Sequence, residues 1–185
     1  MSAPPSPTIV LLGLMGTGKS SIGRALATRM GGTYSDNDEF IERTRGENAR
    51  HLLADQGVAA VHAAERAHLL AELGTVHDGV RVVGAAASVV DTADVRAAIR
   101  RSGAKVVWLR ARLDTLVHRF EDAVQGGHRP RYDNDLDAMF REQIGRRAYW
   151  YESLADVTVD TDDVDAATIA ARLAGDPAGV PAPET

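Results

Sequence analysis

The segment Gly13-Leu14-Met15-Gly16-Thr17-Gly18-Lys19-Ser20 fits the pattern G-x-x-x-x-G-K-[ST] and constrains this chain more than any other part of it. Before it, Thr8-Ile9-Val10-Leu11-Leu12 reads as a short buried strand. After it, Ser21-Ile22-Gly23-Arg24-Ala25-Leu26-Ala27 reads as a helix. Strand, glycine loop and helix form the context in which the pattern has mechanical meaning. Such a loop turns successive backbone N–H groups inward around phosphate oxygens, and the helix that begins at its end adds partial positive charge. On this reading Lys19 reaches the β and γ phosphates of a nucleotide, and the Ser20 hydroxyl meets Mg²⁺. The competing reading is a glycine-rich strand-to-helix turn without a ligand.

A length of 185 residues suits one domain with a full core. The hydrophobic fraction of 44% beside 25% charged residues is that of an ordinary globular protein. Its apolar runs are strand-sized, so no membrane partner is expected. A net charge of -5 argues against a non-specific nucleic-acid binder. Cysteine is absent, which removes disulfides, thiolate metal sites and cysteine nucleophiles together. The opening Met1 to Pro7 lacks a basic region and an apolar core, so it reads as a flexible lead and not a signal peptide. A cytoplasmic enzyme, acting as a monomer, is the expectation. Lys19 and Lys105 are the two lysines among 21 basic side chains, which suits a need for a compact point charge in the phosphate loop.

Strand-like runs recur at Thr8 to Leu12, Gly79 to Gly84, Lys105 to Leu109 and Asp156 to Asp160, with Thr33-Tyr34-Ser35 as a further short strand. Helices are expected near Lys19 to Met30, Val58 to Leu73, Thr92 to Arg101, Leu113 to Ala123, Asp135 to Glu152 and Val164 to Leu173. This alternation predicts an α/β fold with a parallel sheet and crossover helices. The expected domain runs over residues 8–174, with a disordered tail over 175–185. Residues 125–134 cluster basic side chains between glycines and a proline. They read either as a lid that closes over a nucleotide and presents an arginine, or as a solvated surface loop.

Two carboxylates, Asp36 and Asp38, follow the second strand, at the sheet edge where ligands of open parallel sheets collect. In an extended segment a spacing of two sends both side chains the same way. Asp36 suits a magnesium ion, held through water. Asp38 suits an acceptor hydroxyl whose proton it takes. Asp36 or Asn37 equally reads as a helix N-cap, and both roles are compatible.

In this order the motifs resemble the shikimate kinases, small P-loop kinases, over about Thr8 to Leu173. The resemblance rests on the glycine loop, on Asp36-Asn37-Asp38 with Ile41-Glu42, and on Gly57 to Glu65 against the family's G-E-x-x-F-R-x-x-E. Gly84-Ala85-Ala86, Arg129-Pro130 and Arg147-Ala148-Tyr149-Trp150-Tyr151 continue it. It implies a three-layer sandwich around a five-stranded parallel sheet of order 2-3-1-4-5, with ATP and Mg²⁺ as cofactors and a small-molecule acceptor as partner. It implies that Gly16, Thr17, Gly18, Lys19, Ser20 and Ser21 bind ATP, that Ser20 and Asp36 lie near the metal, and that Arg119 stacks on adenine. Lys19, Asp38 and Arg129 are the implied catalytic groups. Asp38, His62, Gly84, Ala85, Ala86 and Arg147 are the implied acceptor contacts.

Two departures fall in the acceptor pocket. His62 stands where the family has a carboxylate-gripping arginine, and imidazole lacks the permanent charge and bidentate fork of a guanidinium. Gly84-Ala85-Ala86 stands where the family has three glycines. Arg66, one helical turn after His62, either reaches into the vacated position or is a solvated charge. The resemblance implies ATP-dependent phosphoryl transfer to shikimate or to a related cyclic acceptor that lacks a carboxylate or has another shape. The alternatives are a nucleotide-binding protein without that activity, and a nucleoside monophosphate kinase.

Overall fold

Along the first strand successive side chains enter two different cores, because neighbouring residues of a strand point to opposite faces. Ile9 and Leu11 join one apolar cluster, while Val10 and Leu12 join another. A strand buried on both faces needs cover on both faces, and the chain supplies helices to each. A computed structural model describes residues 7–125 and 135–175. Residues 126–134, with Arg129 and most of the expected lid, and the expected lead and tail at 1–6 and 176–185 lie outside these.

In chain order the elements are β1 (Thr8–Leu12), α1 (Lys19–Arg29), β2 (Thr33–Asp36), α2 (Asn37–Arg45), α3 (Ala49–Gln56), α4 (Val58–Gly74), β3 (Arg81–Gly84), a 3₁₀ turn (Ala87–Asp91), α5 (Ala93–Ser102), β4 (Lys105–Arg110), α6 (Leu113–Gln125), α7 (Leu136–Leu154), β5 (Val157–Asp160) and α8 (Ala166–Gly175). The strands form one parallel sheet in the order β2-β3-β1-β4-β5, as the resemblance implied. On one face Ile22 and Leu26 of α1 meet Ile169 and Leu173 of α8. On the other, Leu69 of α4, Val95 and Ile99 of α5, Phe120 of α6 and Phe140 and Tyr151 of α7 fill the core. No helix among the described residues is long and apolar enough to cross a membrane.

For α2 the sequence offered only a start signal at Asp36 or Asn37, and for α3 nothing. Each buries a single large apolar side chain, Ile41 and Leu52, which pack with Ala64 of α4 in a separate small cluster. Apolar periodicity is too thin in such helices to reveal them. Their caps define them instead: the Asp36 carboxylate accepts from the Glu39 N–H at 3.2 Å and the Asn48 side chain from His51 N–H at 3.0 Å. Gly46 and Gly57 end them at φ of 71° and 81°.

Tyr34 packs where two glycines leave room. A Cβ on Gly23 of α1 would overlap its ring, and one on Gly84 would overlap its hydroxyl. Beside it a buried polar chain ties β2 to α4 and β3. Ser35 Oγ lies 2.8 Å from His68 Nε2 and donates to Glu72 at 2.8 Å, and Glu72 receives Arg81 at 2.7 and 2.6 Å. Burial holds the His68 imidazole below its ordinary value of 6.5. For Glu72, burial pushes the carboxyl up, but the bonds from Arg81 and Ser35 outweigh it and the group sits below 4.5.

These contacts predict two stability results. Gly84→Ala should lower stability by about 1–3 kcal/mol through overpacking, and Tyr34→Phe should restore much of it by removing the overlapped hydroxyl, leaving Cζ at 3.0 Å as the nearest ring atom. Denaturant midpoints of the two single variants and the double variant check this. Below pH 6.5 the unfolded chain takes up a proton that the folded state's His68 resists, so stability should fall as pH drops through that window. Glu72, depressed in the folded state, adds a further loss as pH falls below 4.5. In His68→Gln the upper of the two losses should vanish from the pH profile of unfolding.

Candidate active site

Parallel pairing sets Leu11, Gly84 and Asp36 side by side at one edge of the sheet, so the loops after β1, β3 and β2 leave it together. The loop after β1 turns through Gly13, Gly16 and Gly18 at φ of 147°, 82° and 85°. A Cβ at Gly13 would overlap the Leu109 carbonyl oxygen, so the first turn admits only glycine. Thr17 is buried and its hydroxyl donates to the Leu14 carbonyl at 2.9 Å, which closes the loop and leaves its main chain to face a ligand. Lys19 Nζ donates to the carbonyls of Gly13 and Leu14 at 2.8 and 2.9 Å, spanning the loop's mouth. The first turn of α1 carries no acidic residue, and Ser20 and Ser21 are exposed there. The positive end of that helix is therefore uncompensated by its own side chains.

Arg119 of α6 is placed beside this loop and acts as a strut. It donates to the Gly16 carbonyl at 3.0 Å, to Thr161 Oγ1 at 3.2 Å and to the Thr161 carbonyl at 2.6 Å. The guanidinium thus joins the phosphate loop to the segment after β5.

At the end of β2, Asp36 is nearly buried and caps α2 through one oxygen. Its other oxygen lies 3.4 Å from Arg24. The N-cap reading of Asp36 therefore holds. Burial raises the Tyr34 hydroxyl to about 12, and both the Ser20 hydroxyl and the Asp36 carboxylate act on it. Ser20 and Arg24 are one turn apart on α1, and Arg24 reaches Asp36, so the start of α1 faces the end of β2. A hydroxyl and one carboxylate, completed by phosphate oxygens and water, make a donor set that fits Mg²⁺. Among the described residues no cluster of three or more His, Cys, Asp or Glu side chains could hold a metal without such help. Asp38 differs from the expectation. Helix α2 begins at Asn37, so the alternation of an extended segment does not apply, and Asp38 is exposed in the first turn while Asp36 points inward. Asn37 donates to it at 3.0 Å.

Three of the expected acceptor residues, His62, Asp38 and Arg147, lie within electrostatic reach of Glu65 of α4. This half-buried carboxyl accepts from Ser88 Oγ at 2.5 Å, and burial pushes it above its ordinary value while His62, Asp38 and Arg147 act on it electrostatically. His62 is exposed on the same helix. Arg147 of α7 is buried and bidentate on Asp91: Nε and Nη2 donate at 3.1 and 2.9 Å, while Nη1 donates to Gln143 at 2.9 Å. Arg146 adds a second cation to Asp91 at 3.1 Å. Arg66 pairs with Asp94 on α5, which answers its alternative readings in favour of a surface charge. Ala85 is fully buried in the core and Ala86 nearly so. The methyl of Ala85 has no surface left for an acceptor, which corrects its assignment as a contact through that methyl. Gly84 faces Tyr34. Ser88 and Asp91 went unassigned in the sequence, where one polar residue and one acid beyond β3 carry no pattern of their own.

The family model for shikimate kinases matches residues 15–175. Shikimate kinases from Moorella thermoacetica and Streptomyces coelicolor are 32% and 34% identical to this chain, covering 89% and 85% of it and 91% and 87% of their own lengths. Among solved structures, shikimate kinase from Acinetobacter baumannii in complex with shikimate superposes with a TM-score of 0.79 at 22% identity, covering 91% of this chain and 90% of that one. Shikimate kinase from Bacteroides thetaiotaomicron superposes at 0.77 with 24% identity, covering 90% and 96%.

The strut predicts a nucleotide effect without a direct contact being required. Arg119→Met removes the bond to the Gly16 carbonyl and the two bonds to Thr161 that anchor it, so ADP affinity measured by calorimetry should fall by about 10-fold or more. Thr161→Val, which spares the carbonyl bond, should fall less.

Proposed function

The chain belongs to the shikimate kinase family, whose chemistry is ATP-dependent phosphoryl transfer, and from that premise we propose how its own residues divide the work. The N–H groups of Gly16, Thr17, Gly18, Lys19, Ser20 and Ser21 cradle the phosphates of ATP. Lys19 exchanges its bonds to the Gly13 and Leu14 carbonyls for β and γ oxygens. The adenine lies along Arg119. Ser20 and Asp36 would hold Mg²⁺, which when bound neutralises charge on the phosphate oxygens during transfer.

On the acceptor side, a ring hydroxyl sits beside Asp38. Its oxygen forms a bond to the γ phosphorus as the bond from that phosphorus to the bridging oxygen of ADP breaks, and its proton passes to Asp38. Arg129 balances the transferred charge in this scheme. His62, Glu65 and Arg147 wall the ring. Little covalent chemistry is asked of the protein, and positioning with charge neutralisation supplies the rate. One observation carries the reading: the strand register brings the lysine-spanned loop, Asp36 and Gly84 to a single edge.

ADP release, followed with and without a panel of cyclic hydroxy acids and polyols, tests the proposal. Acceptor-dependent turnover is expected. Tight ADP binding with no turnover favours the nucleotide-binding alternative, and turnover with AMP, CMP or UMP favours a nucleoside monophosphate kinase. Lys19→Ala should lower kcat by about 10²-fold or more, with a folded chain verified by its melting curve.

A further inference from the structure

Among the described residues, Arg147 and Arg66, the two guanidiniums that bear on a carboxylate-gripping role, are already satisfied by the chain itself. Every nitrogen of the Arg147 fork has a partner: the Nε and Nη2 edge is held by Asp91, and Nη1 by Gln143. Asp91 is itself fixed, 15% exposed at the end of the 3₁₀ turn and clasped a second time by Arg146. Arg66, the other guanidinium one turn from His62, is committed to Asp94. Asp91 and Asp94 leave β3 within one short segment, so a single stretch of chain delivers carboxylates to both guanidiniums.

Among the described residues, carboxylates also stand near His62 and Arg147. Glu65 and Asp38 act on one another electrostatically, and each offers carboxyl oxygens. Carboxyl oxygens accept hydrogen bonds from hydroxyls and repel an incoming carboxylate. His62, in place of a guanidinium, brings a single ring donor in its neutral form. A carboxylate on the acceptor would thus have to displace Asp91 from Arg147 while facing Asp38 and Glu65. A hydroxyl-rich ring without charge meets no such competitor.

The geometry points to an uncharged polyhydroxylated ring as the acceptor of this chain, with Asp91 occupying on Arg147 the place that an acceptor's carboxylate would otherwise take. The inference rests on the kinase reading above and deepens it. Asp91 is on this account a specificity-determining residue, and it takes no part in the transfer.

Matched acceptors give the test, since shikimate, its methyl ester and its primary-alcohol analogue share one ring and differ in charge. With ATP and Mg²⁺, ADP release by the full chain should show a kcat/KM at least about tenfold higher for the two uncharged rings than for shikimate. A preference for shikimate, or equal values, overturns the inference and leaves the kinase reading standing. No acceptor-dependent turnover with any ring in this set or in a wider panel of cyclitols, despite ADP binding, overturns the kinase reading and the inference with it. Asp91→Asn supplies the second arm. It preserves shape and a hydrogen-bonding oxygen while removing the charge, so kcat/KM for shikimate should rise by about tenfold while KM for ATP is unchanged, and adding His62→Arg should raise it again. A fall in shikimate turnover with Asp91→Asn, in a variant whose melting curve matches the parent, would show that Asp91 orients Arg147 for a carboxylate and would overturn the proposal.

Discussion

The fold depends on how closely the backbone after β1 passes the end of β4. At Gly13 there is space for a hydrogen and no more, because the Leu109 carbonyl occupies the place of a side chain. From that contact the loop curls through two further glycines, and Lys19 folds back to bind the carbonyls that the curl exposes. Helix α1 then starts with its N–H groups aimed at the cavity so made, and its other flank packs under α8. One close approach therefore fixes both the path of the glycine loop and the docking of the first crossover.

The second half of the site rests on a different kind of support. Helix α4 is held at its C-terminal half by the polar chain from Ser35 through His68 and Glu72 to Arg81. Its N-terminal half, with His62 and Glu65, lies over the small cluster of Ile41, Leu52 and Ala64. Buried polar networks of this kind specify one arrangement because a half-satisfied alternative is costly. The His68 Nδ1 atom lacks a partner, which marks where this network is least complete. His62 and Glu65 thus ride on a helix whose root is fixed and whose tip is seated on a modest apolar contact.

What could be read from residues alone divides along physical lines. The glycine loop, the five strands and the long helices were legible because each depends on a local pattern: glycine at positive φ, or apolar period matched to element type. Strand order followed only from the resemblance. Helix α3 was hidden and α2 showed only its cap, because their stability comes from caps at Asp36 and Asn48 and from single buried side chains, and α2 in turn placed Asp38 differently from an extended segment. The partners of Arg147 and Glu65 were hidden for another reason. Asp91 lies 56 positions from Arg147, and Ser88 lies 23 from Glu65, so nothing local announces either bond. Ala85 shows the converse: its substitution for glycine drew notice in sequence, yet its methyl is absorbed by the core.

The span from Gly16 through Arg119 to Thr161 has a thermodynamic meaning. It ties the segment after β5, an edge strand, to the glycine loop although β5 does not lie next to β1 in the sheet. Whatever strengthens the seating of that C-terminal unit must tighten the grip on the nucleotide, and by reciprocity a bound nucleotide must fasten the unit to the body of the sheet. Edge strands are ordinarily the first part of a sheet to fray, and here one guanidinium fastens the end of such a strand to the glycine loop.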